Sequence, residues 1–263
     1  MSTAIIIPAR FESTRFPGKP LAKISGKPMI EWVLASAKES KLANRVIVAT
    51  EDVRIYDFVN RELHNEACLT SREHRSGTDR IAEVVNKFPE IKYVVNLQGD
   101  EPLMPAQYID KVLEALLQIN YSVDPSQNSV LFMSSLVAPL TTIEELNNPD
   151  IVKAVIDKNN FAMYFSRAAI PYERDKKSST QSSTLNSGLF FRHIGIYAYT
   201  RDSLLQFSLL PQSSLEMTEQ LEQLRALENG MIIRLDVVPK AFPAVDRPDD
   251  VKTVEDILRS LNS

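Results

Sequence analysis

Short apolar runs alternate with stretches of helical spacing through the first half of the chain, and this alternation most limits the folds open to it. Ala4–Ile7, Arg45–Thr50 (RVIVAT) and Tyr93–Leu97 (YVVNL) are too short for helices and read as buried strands. Strands of that kind belong to a mostly parallel sheet whose faces are covered by helices. Between them, Met29, Ile30, Trp32, Val33 and Ala37 predict a helix over about 28–40. Val53, Tyr56, Phe58 and Val59 predict another over 52–61, and Ile81, Val84 and Val85 a third over 78–88, with a short strand near Cys68 before it. Pro105 suits the first position of a helix carrying Ile109, Val112, Leu113 and Leu116. With 263 residues, 44% of them apolar, there is material for one large α/β core, or for one core with an inserted lobe.

The second half changes character. Ser129–Val137, Ile151–Ile156 and Phe190–Tyr199 read as longer strands joined by polar loops. Tyr121–Asn128 (YSVDPSQN) reads as a surface excursion, and the glycine-free, serine-rich stretch Arg174–Ser187 as a mobile loop. Two amphipathic helices close the chain: Leu215–Glu228, opened by a capping box at Ser213 and Glu216, and one over about 249–261.

A net charge of −4 argues against a nucleic-acid partner, so any cationic site must be local. The one cysteine, Cys68, excludes an internal disulfide and a thiolate cluster, and three scattered histidines (His64, His74, His193) suit zinc poorly. A divalent ion here would be a hard one on carboxylates, such as magnesium. The apolar start is four residues long without a basic lead, and no run approaches the ~20 apolar residues of a membrane span. A soluble, cytoplasmic protein with no membrane partner is expected.

Chemistry concentrates in a few motifs. Pro8 ends the first strand, and a loop carrying Arg10, Arg15, Gly18 and Lys19 follows. Fixed cations beside loop N–H groups suit a phosphate chain, whereas a basic surface turn is the plainer reading of the loop taken alone. Neither G-x-G-x-x-G nor G-x-x-x-x-G-K-[ST] occurs, since Lys19 precedes Pro20. Asn96–Pro102 (NLQGDEP) lies at the carboxyl end of a buried strand, where open α/β sheets bind ligands. Gly99 permits a sharp turn there, and Asp100 and Glu101 follow as magnesium-holding carboxylates or a simple acidic turn. Ser76, Gly77 and Thr78 stand just before a helix, able to face a base or phosphate or to cap the helix. Ser166 and Arg167 sit among aromatics in Phe161–Pro171, and alternation places His193, Gly195, Tyr197 and Tyr199 on one strand face. That stripe suits a polyhydroxylated, carboxylated molecule, with core tyrosines as the alternative. Glu219, Glu222 and Gln223 lie off the apolar row Met217, Leu221 and Leu224, which by default makes a solvated face. Asp246 precedes the last helix, as its cap or as a metal-site partner of Asp100.

Taken in order, PARFESTRFPGKPL, REHRSGTDR, NLQGDEP, YFSRAAIP, RHIGIYAY, LEQLR and VDRPDD resemble the 3-deoxy-manno-octulosonate (Kdo) cytidylyltransferases, over residues 4 to about 260. The resemblance implies one nucleotidyltransferase-type domain over 1–263, a three-layer α/β/α fold with a mostly parallel sheet. It also implies a smaller dimerisation and sugar-binding lobe over about 130–212, and a homodimer. The reaction implied is CTP plus Kdo giving CMP-Kdo and pyrophosphate, which activates the sugar for lipopolysaccharide core synthesis. By position, Ala9, Arg10, Arg15 and Lys19 would bind the nucleotide, joined by Ser76, Gly77, Thr78 and Gln98. Lys19, Arg15 and Asp100 would be catalytic, and Asp100 and Asp246 would hold Mg2+. Arg167, His193, Tyr197, Glu222 and Gln223 would form the sugar-acid pocket. Ala244-Val-Asp-Arg-Pro departs from the family's Gly-Val-Asp-Thr-Pro by Arg247, with the aspartate kept, and Tyr121–Asn128 is longer than expected. The same chemistry on 8-amino-Kdo or another acidic sugar is the nearest alternative, and a non-catalytic nucleotide-binding protein a more distant one.

Overall fold

The computed structural model describes residues 2–122, 131–174, 185 and 188–261. Most of the loop expected over Arg174–Ser187, and Val123–Asn128 of the expected excursion, lie outside the described residues. The strands are β1 (Thr3–Pro8), β2 (Lys23–Ile24), β3 (Lys27–Pro28), β4 (Arg45–Thr50), β5 (Glu66–Leu69), β6 (Tyr93–Asn96), β7 (Phe132–Pro139), β8 (Lys153–Ile156), β9 (Ala162–Ser166), β10 (Phe191–Thr200) and β11 (Ile232–Val237). The helices are α1 (Met29–Lys38), α2 (Val53–Asp57), α3 (Gly77–Lys87), α4 (Ala106–Ser122), α5 (Ile143–Asn147), α6 (Arg201–Leu209), α7 (Ser214–Glu219), α8 (Gln223–Glu228) and α9 (Asp250–Leu261). A π-helical turn, Phe58–Glu62, extends α2. The mostly parallel mixed sheet flanked by helices is the class that the alternation of apolar runs requires.

The chain forms two compact units: residues 1–113, 196–208 and 242–263, and residues 114–195 and 209–241. In the first, β1 is central, parallel to β4 on one side and β6 on the other, and all six of its residues are buried. Burial on both faces is why it reads as an unbroken apolar run rather than an alternation. β5 adds to β4 in parallel, and the second half of β10 adds to β6 antiparallel. Register places Ile7 and Pro8 beside Val48 and Ala49, and Ile6 beside Asn96, so the loops after β1 and β6 leave the same sheet edge. α9 seals that end through Val254 and Leu258, which pack with Ile24, Met29, Leu103 and Val245.

In the second unit, β11 runs parallel to β7, and β8 lies between the first half of β10 and β9, antiparallel to both. The helix expected over 215–228 is instead two. Gln220 adopts a left-handed conformation (φ 54°) at the end of α7, and the chain restarts as α8. The cause is a buried pair: Arg225 Nε and Nη2 donate to the Glu216 carboxylate at 2.7 and 2.6 Å, which the break permits. The capping box at Ser213 and Glu216 is present as read. α5, α6, β9 and β11 have no counterpart among the sequence-predicted elements, and Pro105 stands just before the first turn of α4 rather than inside it.

Candidate active site

At the carboxyl end of the first unit's parallel strands lies a cleft of about 380 Å3. Ala9, Arg10, Arg15, Lys19, Gly77, Gln98 and Asp100 all line it, although they come from three separate loops. Two of the loops are tied down by their backbone. The Ala9 N–H donates to Ala49 O at 2.9 Å, holding the first loop to the end of β4, and the Val245 N–H donates to Asp100 O at 2.9 Å. The second contact brings Asp246 to the cleft from the far end of the chain. The turn expected at Gly99 is present, but the reason for glycine is different. Its φ is not left-handed; a Cβ there would lie 2.9 Å from Pro8 O, so the close approach of two backbones requires it.

The charges are arranged around Lys19. Its Nζ lies 2.6 Å from Asp100 Oδ2 and 3.6 Å from Asp246 Oδ1, and Arg15 Nη1 and Nη2 donate to Asp246 at 3.4 and 3.2 Å. Arg10 Nη2 donates to His74 O at 2.8 Å, which turns its guanidinium toward the start of α3. Asp246 does not cap α9. The Asp250 carboxylate, in the first turn of α9, reaches back to accept from the N–H groups of Asp246 and Arg247 at 2.8 and 2.7 Å, and the Asp246 carboxylate faces the cations. Arg247 itself is exposed.

Two carboxylates that already share one ammonium group are a donor set of the kind magnesium takes. Among the described residues no three carboxylates, imidazoles or thiols converge on one point. Ser76 is committed to a capping box with Asp79, its Oγ accepting from Asp79 N–H at 3.1 Å, and Thr78 is buried, so Gly77 is the member of that trio that lines the cleft. Gln98 Nε2 donates to Asn96 Oδ1 at 2.7 Å, which fixes its amide at the cleft's edge.

The residues the resemblance assigns to a sugar acid fall mostly in the second unit. Arg167 is held by Glu219: its N–H donates to Glu219 Oε2 at 2.9 Å and its Nε to Glu219 O at 2.8 Å, while Nη1 donates to Pro149 O at 2.9 Å. The Ser166 hydroxyl donates to Glu219 Oε1 at 2.6 Å. Lys153 Nζ, buried, donates to the carbonyls of Asn148, Ile151 and Arg167. His193 Nε2 lies 2.9 Å from Ser135 Oγ under the edge of Phe165, and burial brings its imidazole down to about 3, so it is neutral at pH 7. Glu222 lies 3.5 Å from Arg225, Gln223 is buried, and Tyr197 sits on β10 opposite Asn96 in the first unit.

A cytidylyltransferase family model matches residues 4–234. The 3-deoxy-manno-octulosonate cytidylyltransferase of Trichlorobacter lovleyi is 41% identical, over 98% of this chain and 99% of its own, and that of Haemophilus influenzae 43%, over 98% and 99%. A solved CMP:2-keto-3-deoxy-manno-octonic acid synthetase complexed with CTP superposes with a TM-score of 0.85 at 35% identity, over 99% of each chain. The chain belongs to the 3-deoxy-manno-octulosonate cytidylyltransferase family. For a member of that family, the motif residues read from sequence account for most of the cleft's charge, and the supports beneath them were not read. Glu219 looked like one of several solvated carboxylates, and no spacing rule joins it to Ser166 and Arg167, 53 and 52 residues away. Glu51, Asp52 and Arg54, which brace the first loop, follow a strand without any motif; the one signal was Asp52, a helix cap whose carboxylate accepts from Arg54 N–H at 2.9 Å.

Proposed function

We propose that this chain joins CTP to Kdo, giving CMP-Kdo and pyrophosphate. The observation that carries the reading is the meeting of Arg10, Arg15 and Lys19 with Asp100 and Asp246 at the sheet's carboxyl end. Exposed ion pairs such as Arg15–Asp246 contribute only about 0–1 kcal/mol to stability, so these charges are better explained by a ligand that exchanges for them. The sugar's anomeric hydroxyl attacks the α-phosphorus in line with departing pyrophosphate, and its proton leaves to solvent or to a nearby base. Arg15 and Lys19 neutralise the charge that grows on the α-phosphate and the leaving group. No covalent enzyme intermediate is needed, because positioning and charge neutralisation supply the catalysis. Asp100 and Asp246 would hold magnesium, which when bound adds a Lewis acid to this cationic set. Arg167, with its guanidinium held in place by Glu219 and Pro149, suits the sugar's carboxylate, and the neutral His193, with Tyr197, Glu222 and Gln223, suits its hydroxyls. A homodimer working in the cytoplasm completes the reading; it rests on the family resemblance, and the described residues contain no helix long and apolar enough to cross a membrane.

The test is pyrophosphate release from CTP and magnesium, with Kdo, 8-amino-Kdo and N-acetylneuraminate as parallel acceptors. Release with Kdo that EDTA abolishes is the expected result. Preference for the amino sugar would overturn the choice of sugar while keeping the chemistry, and CTP binding without release from any sugar would overturn the enzyme reading.

A further inference from the structure

Arg10 and Lys19 flank the neck of a small closed loop. The Phe11 carbonyl accepts the Gly18 N–H at 2.8 Å, so residues 12–17 form a closed loop with Arg10 and Lys19 on the two strands of its neck, both lining the cleft. Gly18 is left-handed (φ 72°), and a Cβ there would press to 3.1 Å from Phe11 Cζ, so the phenyl ring lies directly against the glycine. The ring's other neighbour is a guanidinium: Arg54 Cζ stands 3.4 Å from the Phe11 ring centroid. Arg54 is itself clamped, with Nε and Nη2 donating to the two oxygens of the buried Asp52 carboxylate at 2.9 and 2.6 Å. The Phe11 N–H donates to Glu51 Oε1 at 3.0 Å, and Glu51 Oε2 lies 2.7 Å from Nη2 of Arg80, which is 1% exposed.

We infer that Arg54, with Asp52 and Glu51, is a positioning element for the triphosphate loop. It touches no reacting atom; it holds the Phe11 ring against Gly18 and thereby sets the separation of Arg10 from Lys19. The planar guanidinium matters as well as the charge, since it meets a flat ring on one side and a two-oxygen acceptor on the other. The inference rests on the reading of this cleft as the CTP site.

The side chain of Arg54 is 58% exposed but neutralises the buried Asp52 carboxylate, which keeps its bond from the N–H of residue 54, so Arg54→Ala is expected to fold with a modestly lowered Tm. Its KM for CTP should rise roughly three- to tenfold, the scale of one exposed cation–π contact with its anchoring pair, while KM for the sugar stays put. Arg54→Lys, which keeps the charge and loses the plane, should restore less than half of the loss. In a Phe11→Leu background, Arg54→Ala should have no further effect, because the two act through one contact. Amide hydrogen exchange without nucleotide supplies a readout independent of activity: Arg54→Ala should speed exchange at Phe11 and Gly18. Additive effects in the double variant, an unchanged KM for CTP, or unchanged exchange at Phe11 and Gly18 would each overturn the inference. Wild-type protein that binds no CTP would instead overturn the functional reading, leaving the exchange data to decide the structural half.

Discussion

Lys19 sits where two carboxylates converge, 2.6 Å from one and 3.6 Å from the other, and it is the one cation of the loop in contact with both. Removing it takes the counter-charge from Asp100 and leaves Asp246 with Arg15 alone, and removing Asp100 leaves the ammonium only the more distant Asp246. Lys19→Ala and Asp100→Ala are each expected to lower kcat/KM by roughly 10²–10³, the scale for losing one charge-stabilising group in a transition state. Steady-state pyrophosphate release from the folded variants checks this, and near-normal turnover in either would remove that residue from the mechanism. The two residues were readable from sequence because Lys19 lies on the cationic loop that Pro8 opens and Asp100 follows Gly99 at the end of a buried strand, where ligand-binding loops begin. That they touch, 81 residues apart, was not readable, since it follows from β1 and β6 lying side by side.

At the scale of elements, the strands buried on both faces were the easiest to read and the half-exposed ones the hardest. β1, β4 and β6 are nearly continuous apolar runs, whereas β9 has a burial pattern without clean alternation and β11 alternates over only six residues. α6 carried a signal that went unused: Thr200 Oγ1 accepts the Ser203 N–H at 3.1 Å, an ordinary helix cap. The division of the expected helix 215–228 into α7 and α8 has no local signal, because the pair that rewards it is Glu216 with Arg225, nine residues apart and both buried. Arg225→Met is therefore expected to cost about 3–5 kcal/mol, the scale for leaving a buried charge unpaired. Urea denaturation measures this, and a loss below about 1 kcal/mol would show that the pair does not hold the break.

The stability of the whole molecule should fall on the acid side for a traceable reason. Burial brings the His193 imidazole from its ordinary 6.5 down to about 3. Between those values the unfolded chain takes up a proton that the folded chain refuses, so acid favours unfolding progressively from about pH 6.5 toward pH 3. A second loss follows lower down. Burial alone would raise the Glu83 carboxyl, but hydrogen bonds from Lys87, the Ser71 N–H and His74 outweigh it and bring Glu83 from 4.5 to about 2. Its contribution is complete above about pH 4.5 and disappears as pH falls toward 2. His193→Gln, which cannot titrate, is expected to flatten the decline between pH 6.5 and 4.5 and leave the lower one in place. Denaturation midpoints measured across pH would show it; an unaltered slope above pH 4.5 would assign the acid loss to other groups.

By itself the sequence determined the parallel α/β class, since apolar runs of strand length must be buried on both faces. It also determined the chemistry on offer: a cationic loop, aspartates after strand- and loop-ending turns, and no thiol or imidazole cluster. Both are local facts, set by composition and spacing within a few residues. The tertiary structure alone decided which of these groups meet, because strand order brought residues 8–19, 77, 98–100 and 245–246 to one sheet edge. It also decided that Gly99 serves backbone approach, that Asp246 turns to Arg15 and Lys19 and not to the start of α9, and that Arg54 braces a loop with which it shares no motif. Those outcomes depend on distances between residues far apart in the chain, and a one-dimensional pattern carries no such distances.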